Sequence, residues 1–187
     1  SSTIQAQDPI NIGSKLFTES IILGQIATQL AEVQRNEAEF YEQLGGTRIL
    51  WNALLEGEID IYPEYTGTLI QEILRSPEIQ NFESLRDTLA TFGISTTEPF
   101  GFNNTYALGM KKEVAEAFNI KSISDLKNHP ELVYGFTNEF IDRADGWVGL
   151  RQIYDLSAQK VTGLDHDLSY RGLEQGDIDV IDFYSSD

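Results

Sequence analysis

The chain has 187 residues, of which 41% are hydrophobic and 23% are charged, a composition typical of globular domains rather than of disordered segments. With 13 Lys and Arg residues against 30 Asp and Glu residues, the formal net charge is −17, which disfavours binding to nucleic acid or to an anionic membrane surface. The absence of cysteine excludes disulfides, cysteine metal ligands and thiol catalysis, and no apolar run reaches the roughly 18 residues of a membrane span.

Strands and helices alternate in the first half of the chain. In order, the sequence predicts a strand over residues 9–13, a helix with Thr18 as its N-cap, a helix over 47–55 that ends at Gly57, a strand over 59–62 and a helix over 84–92. The first helix carries apolar residues at helical spacing, namely Ile21, Ile22, Ile26 and Leu30. This alternation predicts an α/β fold with a largely parallel sheet.

A domain boundary is expected where residues 96–104 lose periodicity and gain Pro99 and Gly101. We therefore predict lobe 1 over residues 1–98 and lobe 2 over 99–187. The second lobe is predicted to hold a strand over 106–110, helices over 111–118 and 123–128 (the latter capped by Ser124), a strand over 132–136, a helix over 148–154 and a strand over 178–183.

A faint internal repeat links the two halves. Residues 54–61 are echoed by residues 173–180 at an offset of 119, and Tyr65-Thr66 is echoed by Tyr184-Ser185 at the same offset. Ligands of open α/β sheets bind outside the carboxyl ends of the strands, so two facing lobes of like construction would bring both tyrosines to one cleft. The alternative is chance similarity between two ordinary helix-to-strand turns.

Few residues suggest catalysis. His129 and His166 are both expected at the surface, and Asp165-His166-Asp167 fails as a calcium loop because its twelfth position is Gly176 instead of Glu. The alternating acidic residues of segment 177–182 predict a solvated strand face, with a glycosidase-like carboxylate pair as the less favoured alternative. We expect no metal, no cofactor and no enzymatic activity.

Tyrosines give a better indication of function. Tyr65, Tyr106 and Tyr184 each lie at a predicted strand end or at the domain junction. Each alone is typical of core or rim packing, but together they could form an aromatic box for a cation that lacks hydrogen-bond donors. Such a box favours a trimethylammonium group over an ammonium group, because the methylated cation costs less to dehydrate.

Ordered motifs along the chain carry a family resemblance. They are GSKLFTE (13–19), YPEYTGT (62–68), NNTY (103–106), EFIDRADG (139–146) and the final GDID (176–179) and YSSD (184–187). In this order they closely resemble the glycine betaine/choline/carnitine-binding proteins of osmoprotectant ABC importers. The resemblance implies a bilobed periplasmic-binding-protein fold of type II kind, which closes on its ligand.

The resemblance also assigns site residues. It implies that Tyr65, Tyr106 and Tyr184 are walls of a cage around a quaternary ammonium, and that three further residues receive the carboxylate of a betaine: Lys15, Thr68 and Arg143. Arg offers a planar donor fork that matches a carboxylate, and Lys adds a point charge. Because choline has no carboxylate, these residues favour betaines or carnitine.

The same resemblance implies partners and a location. We expect a small quaternary-ammonium ligand, a membrane-embedded ABC permease, and a position in the periplasm or at the outer face of the cytoplasmic membrane. Members of the family continue beyond the point that matches Asp187 with a segment that returns to lobe 1, so lobe 1 is expected to be incomplete and open to self-association. The alternatives are a ligand-sensing or permease-fused domain of the same fold, and a binder of another small polar solute.

Overall fold

A computed structural model describes residues 8–34, 37–157 and 159–187. The chain forms two compact units, unit 1 (Ser1–Pro99) and unit 2 (Phe100–Asp187). Their equivalence to the two family lobes remains a prediction. Within the described residues, no helix combines the length and the apolar character that a membrane crossing requires.

Unit 1 is built on a small parallel sheet. Its elements are β1 (Ile10–Lys15), α1 (Thr18–Val33), β2 (Ala38–Gly45), α2 (Thr47–Glu56), α3 (Thr66–Thr68), a π-helical turn (Leu69–Leu74) and α4 (Phe82–Ala90). β1 and β2 pair in parallel from Ile10 opposite Ala38. The strand predicted over 59–62 is wrong, since this segment makes only one bridge, from Ile61 to Ile12. The next amide in that ladder would belong to Pro63, which has no hydrogen to donate.

Helix α1 packs through small residues instead of its apolar stripe. Its buried positions are Ser20, Gly24 and Thr28, and a Cβ on Gly24 would lie 2.6 Å from a ring carbon of Phe40. Of the four predicted apolar residues, Ile21 is half-buried and Ile22, Ile26 and Leu30 are 48–61% exposed, and Val33 in the last turn is 76% exposed. The helix begins at Thr18 with Phe17 as its N-cap, so the predicted cap is wrong by one residue.

Unit 2 is a four-stranded mixed sheet with helices between its strands. Its elements are β3 (Tyr106–Gly109), α5 (Lys112–Ala117), a 3₁₀ helix (Ile123–Asn128), β4 (Val133–Thr137), α6 (Asn138–Asp142), α7 (Trp147–Ile153), β5 (Lys160–Leu164), α8 (His166–Gln175) and β6 (Val180–Tyr184). The strand order is β3-β6-β4-β5, with β3 antiparallel to β6 and the other pairs parallel. The 3₁₀ helix is capped by Ser122 through a capping box, and not by Ser124 as predicted.

The core of unit 2 is aromatic. Tyr134, Phe136, Phe140 and Trp147 are at most 6% exposed and pack against one another with ring centroids 5.1–5.7 Å apart. Because β4 carries two of these rings and α6 and α7 carry the others, the two short helices are fixed to the sheet directly after β4. This fixes the position of α6, which supplies side chains to the candidate site.

The internal repeat is present in the backbone. α2 ends at Gly57 with φ 73°, and α8 ends at Gly176 with φ 85°, so both helices stop in the left-handed conformation that glycine adopts without strain. The next two amides then donate to one carbonyl in the last turn of the helix, that of Ala53 in unit 1 and that of Gly172 in unit 2.

The same equivalence extends to the adjoining strand. The Asp60 carboxylate accepts the amide of Asn11 in β1 at 2.8 Å, and the Asp179 carboxylate accepts the amide of Val133 in β4 at 2.8 Å. Each aspartate returns its own amide to the carbonyl of the same strand residue, at 2.7 Å and 2.8 Å. The two helix-to-strand segments match at an offset of 119 and their strand partners Asn11 and Val133 are 122 residues apart, and these two matching hydrogen-bond sets favour internal repetition over chance similarity.

Candidate functional site

Two of the three predicted cage tyrosines lie side by side in unit 2. Tyr106 of β3 is directly opposite Tyr184 of β6, and their ring centroids are 5.2 Å apart. Phe140 of α6 lies 4.9 Å from Tyr106, which makes a row of three rings. Burial raises the pKa of both tyrosine hydroxyls, and nearby carboxylates raise it further. Both rings therefore stay neutral, with intact π-faces, at physiological pH.

Arg143 lies against this row and is already paired with carboxylates. Its guanidinium carbon is 5.3 Å from the Tyr106 centroid, and the residue is 4% exposed. Nε and a terminal nitrogen donate to the two oxygens of Asp145 at 2.8 Å and 2.7 Å, and Glu139 is 3.7 Å away. Burial alone would lower the pKa of Arg143, but these carboxylates raise it, so the group stays charged.

Asp182 lies buried beneath the candidate site, where it hydrogen-bonds Thr137, and not on a solvated strand face. The prediction for segment 177–182 is wrong at this residue, which is fully buried in β6. Its carboxylate accepts the amide and the hydroxyl of Thr137 at 2.7 Å and 2.8 Å, and the Thr137 oxygen accepts the Phe140 amide at 3.3 Å. Burial raises the pKa of Asp182, and the Thr137 hydrogen bonds oppose the shift. This chain of hydrogen bonds fixes the first turn of α6 and so the Phe140 ring.

Lys15 is the last residue of β1 in unit 1. Its ammonium group donates to Thr47 at 2.9 Å and to Glu64 at 2.7 Å. The side chains of this ion pair are only 4% and 7% exposed. The same Glu64 oxygen accepts the amide of Tyr65 at 2.9 Å, so one carboxylate joins the predicted lysine to the predicted tyrosine.

Tyr65 and Thr68 lie at the start of the helical segment that follows. Tyr65 is the N-cap of α3, its hydroxyl donates to Glu19, and its ring centroid is 6.1 Å from that of Phe17. Thr68 is 8% exposed. The Leu69 amide donates to the Tyr65 carbonyl at 3.0 Å, which holds the first turn in place.

The six predicted site residues thus fall into two local groups. Unit 1 holds Lys15, Tyr65 and Thr68, and unit 2 holds Tyr106, Arg143 and Tyr184. Their joint contact with one ligand remains a prediction. The carboxylates that pair with the two cations, Glu64 and Asp145, were not predicted, although both lie within the quoted motifs. Among the residues that the structure describes, no three His, Asp or Glu side chains group as metal ligands would.

Comparisons with known proteins agree with these motifs. A carnitine transport binding protein of Listeria monocytogenes is 29% identical over 97% of this chain and 62% of its own length. A glycine betaine-binding protein of Escherichia coli is 30% identical over 81% of this chain and 53% of its own length. The Helicobacter pylori ergothioneine transport permease/ergothioneine binding protein is 31% identical over 97% of this chain but only 34% of its own length. The chain therefore spans between about a third and three fifths of these relatives.

Solved structures support the predicted fold. A glycine betaine/carnitine/choline ABC transporter structure superposes with a TM-score of 0.62 at 25% identity, over 95% of this chain and 69% of that chain. Apo YehZ of Escherichia coli superposes with a TM-score of 0.58 at 24% identity, over 97% and 71% of the two chains. The predicted α/β periplasmic-binding-protein fold is confirmed. Residues 8–187 match the family model described as the substrate-binding domain of ABC-type glycine betaine transport systems, and the chain belongs to that family.

Proposed function

We propose that this domain captures a quaternary-ammonium osmoprotectant (glycine betaine, proline betaine, carnitine or choline) for an ABC importer. The observation that carries the proposal is the row of rings in unit 2, where Tyr106 contacts Tyr184 at 5.2 Å and Phe140 at 4.9 Å. A methylated ammonium has no N–H to donate, so it gains little from carboxylates alone and more from π-faces. Each such contact contributes roughly 0.5–2 kcal/mol when desolvated.

The ammonium end of the ligand is assigned to Tyr65, Tyr106 and Tyr184. The neutral, half-buried tyrosines of unit 2 support this role, because burial and neighbouring carboxylates raise the pKa of their hydroxyls and keep them protonated. The Tyr65 hydroxyl donates to Glu19, whose carboxylate adds negative charge near the ring, whereas the Glu64 carboxylate that accepts the Tyr65 amide is paired with Lys15. A ring next to carboxylates is a better partner for a cation than an isolated ring is.

The carboxylate end of a betaine is assigned to Lys15, Thr68 and Arg143. Arg143 has five N–H donors, and two of them bind Asp145 in a fork-to-fork pair. Because Lys15 and Arg143 both have internal counter-ions, a ligand carboxylate gains less from them than from unpaired cations. We therefore expect betaines to be preferred over choline by about tenfold or less, which corresponds to roughly 1.4 kcal/mol.

The domain acts in this proposal by binding and release, without chemical change of its ligand. Its partner is a membrane-embedded ABC permease, and it works on the extracytoplasmic side of the membrane. The family match over residues 8–187 supports each of these assignments. A pull-down of the permease with ligand-loaded protein tests the partner directly.

Titration calorimetry tests the ligand class. The panel pairs each cation with its carbon isostere: glycine betaine with tert-butylacetate, and choline with tert-butylethanol. We expect saturable binding of the cations, weak binding of the isosteres, and about a tenfold loss of affinity in Tyr184→Ala, since a cation–π contact is worth up to about 2 kcal/mol. Tyr41→Ala serves as control, since Tyr41 is 39% exposed and its hydroxyl bonds Glu39. Equal binding of cation and isostere would reject the quaternary-ammonium proposal.

A second candidate is the same binding domain fused to a permease. The Helicobacter pylori relative is named as both permease and binding protein, and this chain covers 34% of it. That name also adds ergothioneine, itself a trimethylammonium betaine, to the titration panel. Sequencing the gene on both sides of the segment that encodes residues 1–187 separates a fused domain from a free one.

A further inference from the structure

His166 packs against Tyr184, one of the tyrosines assigned to the proposed cage. It is the first residue of α8, and its ring centroid is 4.9 Å from that of Tyr184 with an angle of 31° between the planes. A surface histidine was expected from the sequence, but the side chain is only 17% exposed. Tyr184 therefore packs against rings from β3 and α8, namely Tyr106 at 5.2 Å and His166 at 4.9 Å.

The orientation of the imidazole is fixed by Asp187. Nε2 lies 3.0 Å from Oδ2 of Asp187, while Nδ1 is buried and has no hydrogen-bond partner among the described residues. This Oδ2 also accepts the Tyr170 hydroxyl and the Tyr184 amide, so it is an acceptor for Nε2 as well, and Nε2 donates. One hydrogen bond thus defines both the tautomer and the tilt of the ring.

Asp187 ties this imidazole to the strand end that carries the tyrosine. The same oxygen accepts the Tyr170 hydroxyl at 2.9 Å and the backbone amide of Tyr184 at 3.0 Å. Burial and the hydrogen bond to Asp187 both raise the pKa of Tyr170, so that hydroxyl stays protonated and keeps donating. The carboxylate therefore links two residues of α8 to the last residue of β6.

We propose that His166 is a positioning residue for the cation cage: it holds the Tyr184 ring in its binding orientation, with Asp187 as its anchor. This inference rests on the proposed function, because only that function assigns a ligand to the Tyr184 ring. A tyrosine at a strand end, without a second ring neighbour, would have to be ordered when the ligand binds. Packing it beforehand removes that entropy cost from the binding step.

Three substitutions separate the ring contact of His166 with Tyr184 from its hydrogen bond to Asp187, and the His166 ring also lies 5.2 Å from that of Tyr170. His166→Ala removes both the ring and the donor. His166→Gln keeps an N–H at the position of Nε2 without the ring, and His166→Phe keeps the ring without the donor. His129→Ala is the matched control, because His129 is also a half-buried histidine of unit 2 but contacts Phe118 and Glu131.

Two measurements on the whole chain test the role. In protein labelled with fluorotyrosine, with the Tyr184 signal assigned from Tyr184→Phe, His166→Ala should move that signal and His129→Ala should not. In calorimetry with glycine betaine and choline, His166→Ala should weaken binding roughly threefold to tenfold, a part of one cation–π contact. Binding of the tert-butyl isosteres should not change. His166→Phe should recover more of the loss than His166→Gln, because the ring contact is the one that touches Tyr184.

The outcomes distinguish this inference from the proposed function. If the wild-type protein binds the cations and His166→Ala binds them equally well, or if the Tyr184 signal does not move, the positioning role is wrong and the proposed function stands. If the wild-type protein binds no quaternary ammonium, the proposed function fails and this role for His166 fails with it. A loss that is equal for cations and isosteres would indicate a general structural effect, and it would also overturn the inference.

Discussion

The buried ion pair between Lys15 and Glu64 allows stability and ligand binding to be separated. We change Lys15 to Met, which keeps the length of the side chain and removes its charge. Glu64 is then left with its charge in a site where its side chain is 7% exposed, and one of its oxygens already has no hydrogen-bond partner in the described residues. Breaking one partner of a buried pair typically costs about 3–5 kcal/mol, so we expect a loss of that size in the free energy of unfolding.

The double variant Lys15→Met/Glu64→Leu tests the reasoning behind that magnitude. With both charges absent, no buried carboxylate is left unpaired, and we expect most of the lost stability to return. The exposed pair of Arg86 and Glu98, whose side chains are 48% and 79% exposed, provides the control within unit 1. Arg86→Met should cost at most about 1 kcal/mol, as is usual for a surface pair.

Urea denaturation followed by tryptophan fluorescence gives the free energies, and calorimetry gives the ligand preference. If Lys15 receives a ligand carboxylate, the double variant, which also removes the acceptor of the Tyr65 amide, should lose more affinity for glycine betaine than for choline. A cost below about 1 kcal/mol for Lys15→Met, or a double variant as unstable as the single one, would refute the account of the buried pair. Unchanged betaine affinity would remove Lys15 from the site.

Two further predictions concern buried residues in the sheet of unit 2. A Cβ on Gly135 of β4 would overlap Cδ1 of Ile178, so Gly135→Ala should cost about 1–3 kcal/mol in urea denaturation, and Ile178→Val should relieve much of that cost in the double variant. For Asp182, burial raises the folded-state pKa above its ordinary 3.8, so its contribution to stability is present at low pH and is lost as pH rises through the raised value. The difference in free energy of unfolding between the wild-type protein and Asp182→Asn should therefore favour the wild type more at pH 4 than at pH 7. The opposite trend would show that the Thr137 hydrogen bonds outweigh burial.

Sequence patterns predicted the elements whose ends are marked by local chemistry. Gly57 and Gly176 each end a helix because only glycine adopts the left-handed conformation there without strain. β2 was missed, because its residues 39–44 mix Glu, Gln and aromatic side chains and most of them are exposed. β5 was missed for a similar reason, since no residue of Lys160–Leu164 is buried. A strand held by backbone pairing at a solvated edge carries little hydrophobic periodicity.

The sequence predicted which residues belong to the candidate site, but it did not predict which side chains contact one another. The flanking acids Asp165 and Asp167 suggested that His166 is exposed, but neighbours in a helix point in different directions, so their exposure says nothing of the residue between them. In the same way, Asp145 and Glu64 were visible in the motifs, whereas their pairing with Arg143 and Lys15 depends on tertiary contacts. Spacing along the chain does not specify which oxygen meets which nitrogen.

Both units bind the last residue of a parallel strand to a buried carboxylate. In unit 1 the last residue of the first strand, Lys15, is bound to a buried carboxylate, and the tyrosine Tyr65 follows that acid directly. In unit 2 the last residue of β4, Thr137, is bound to buried Asp182, and Tyr184 follows two residues later. Each unit thus places an aromatic ring beside a carboxylate that is shielded from water. Since Lys15 already compensates Glu64, a cation without hydrogen-bond donors would gain chiefly from the ring in each unit, which agrees with the proposed methylated ammonium ligand.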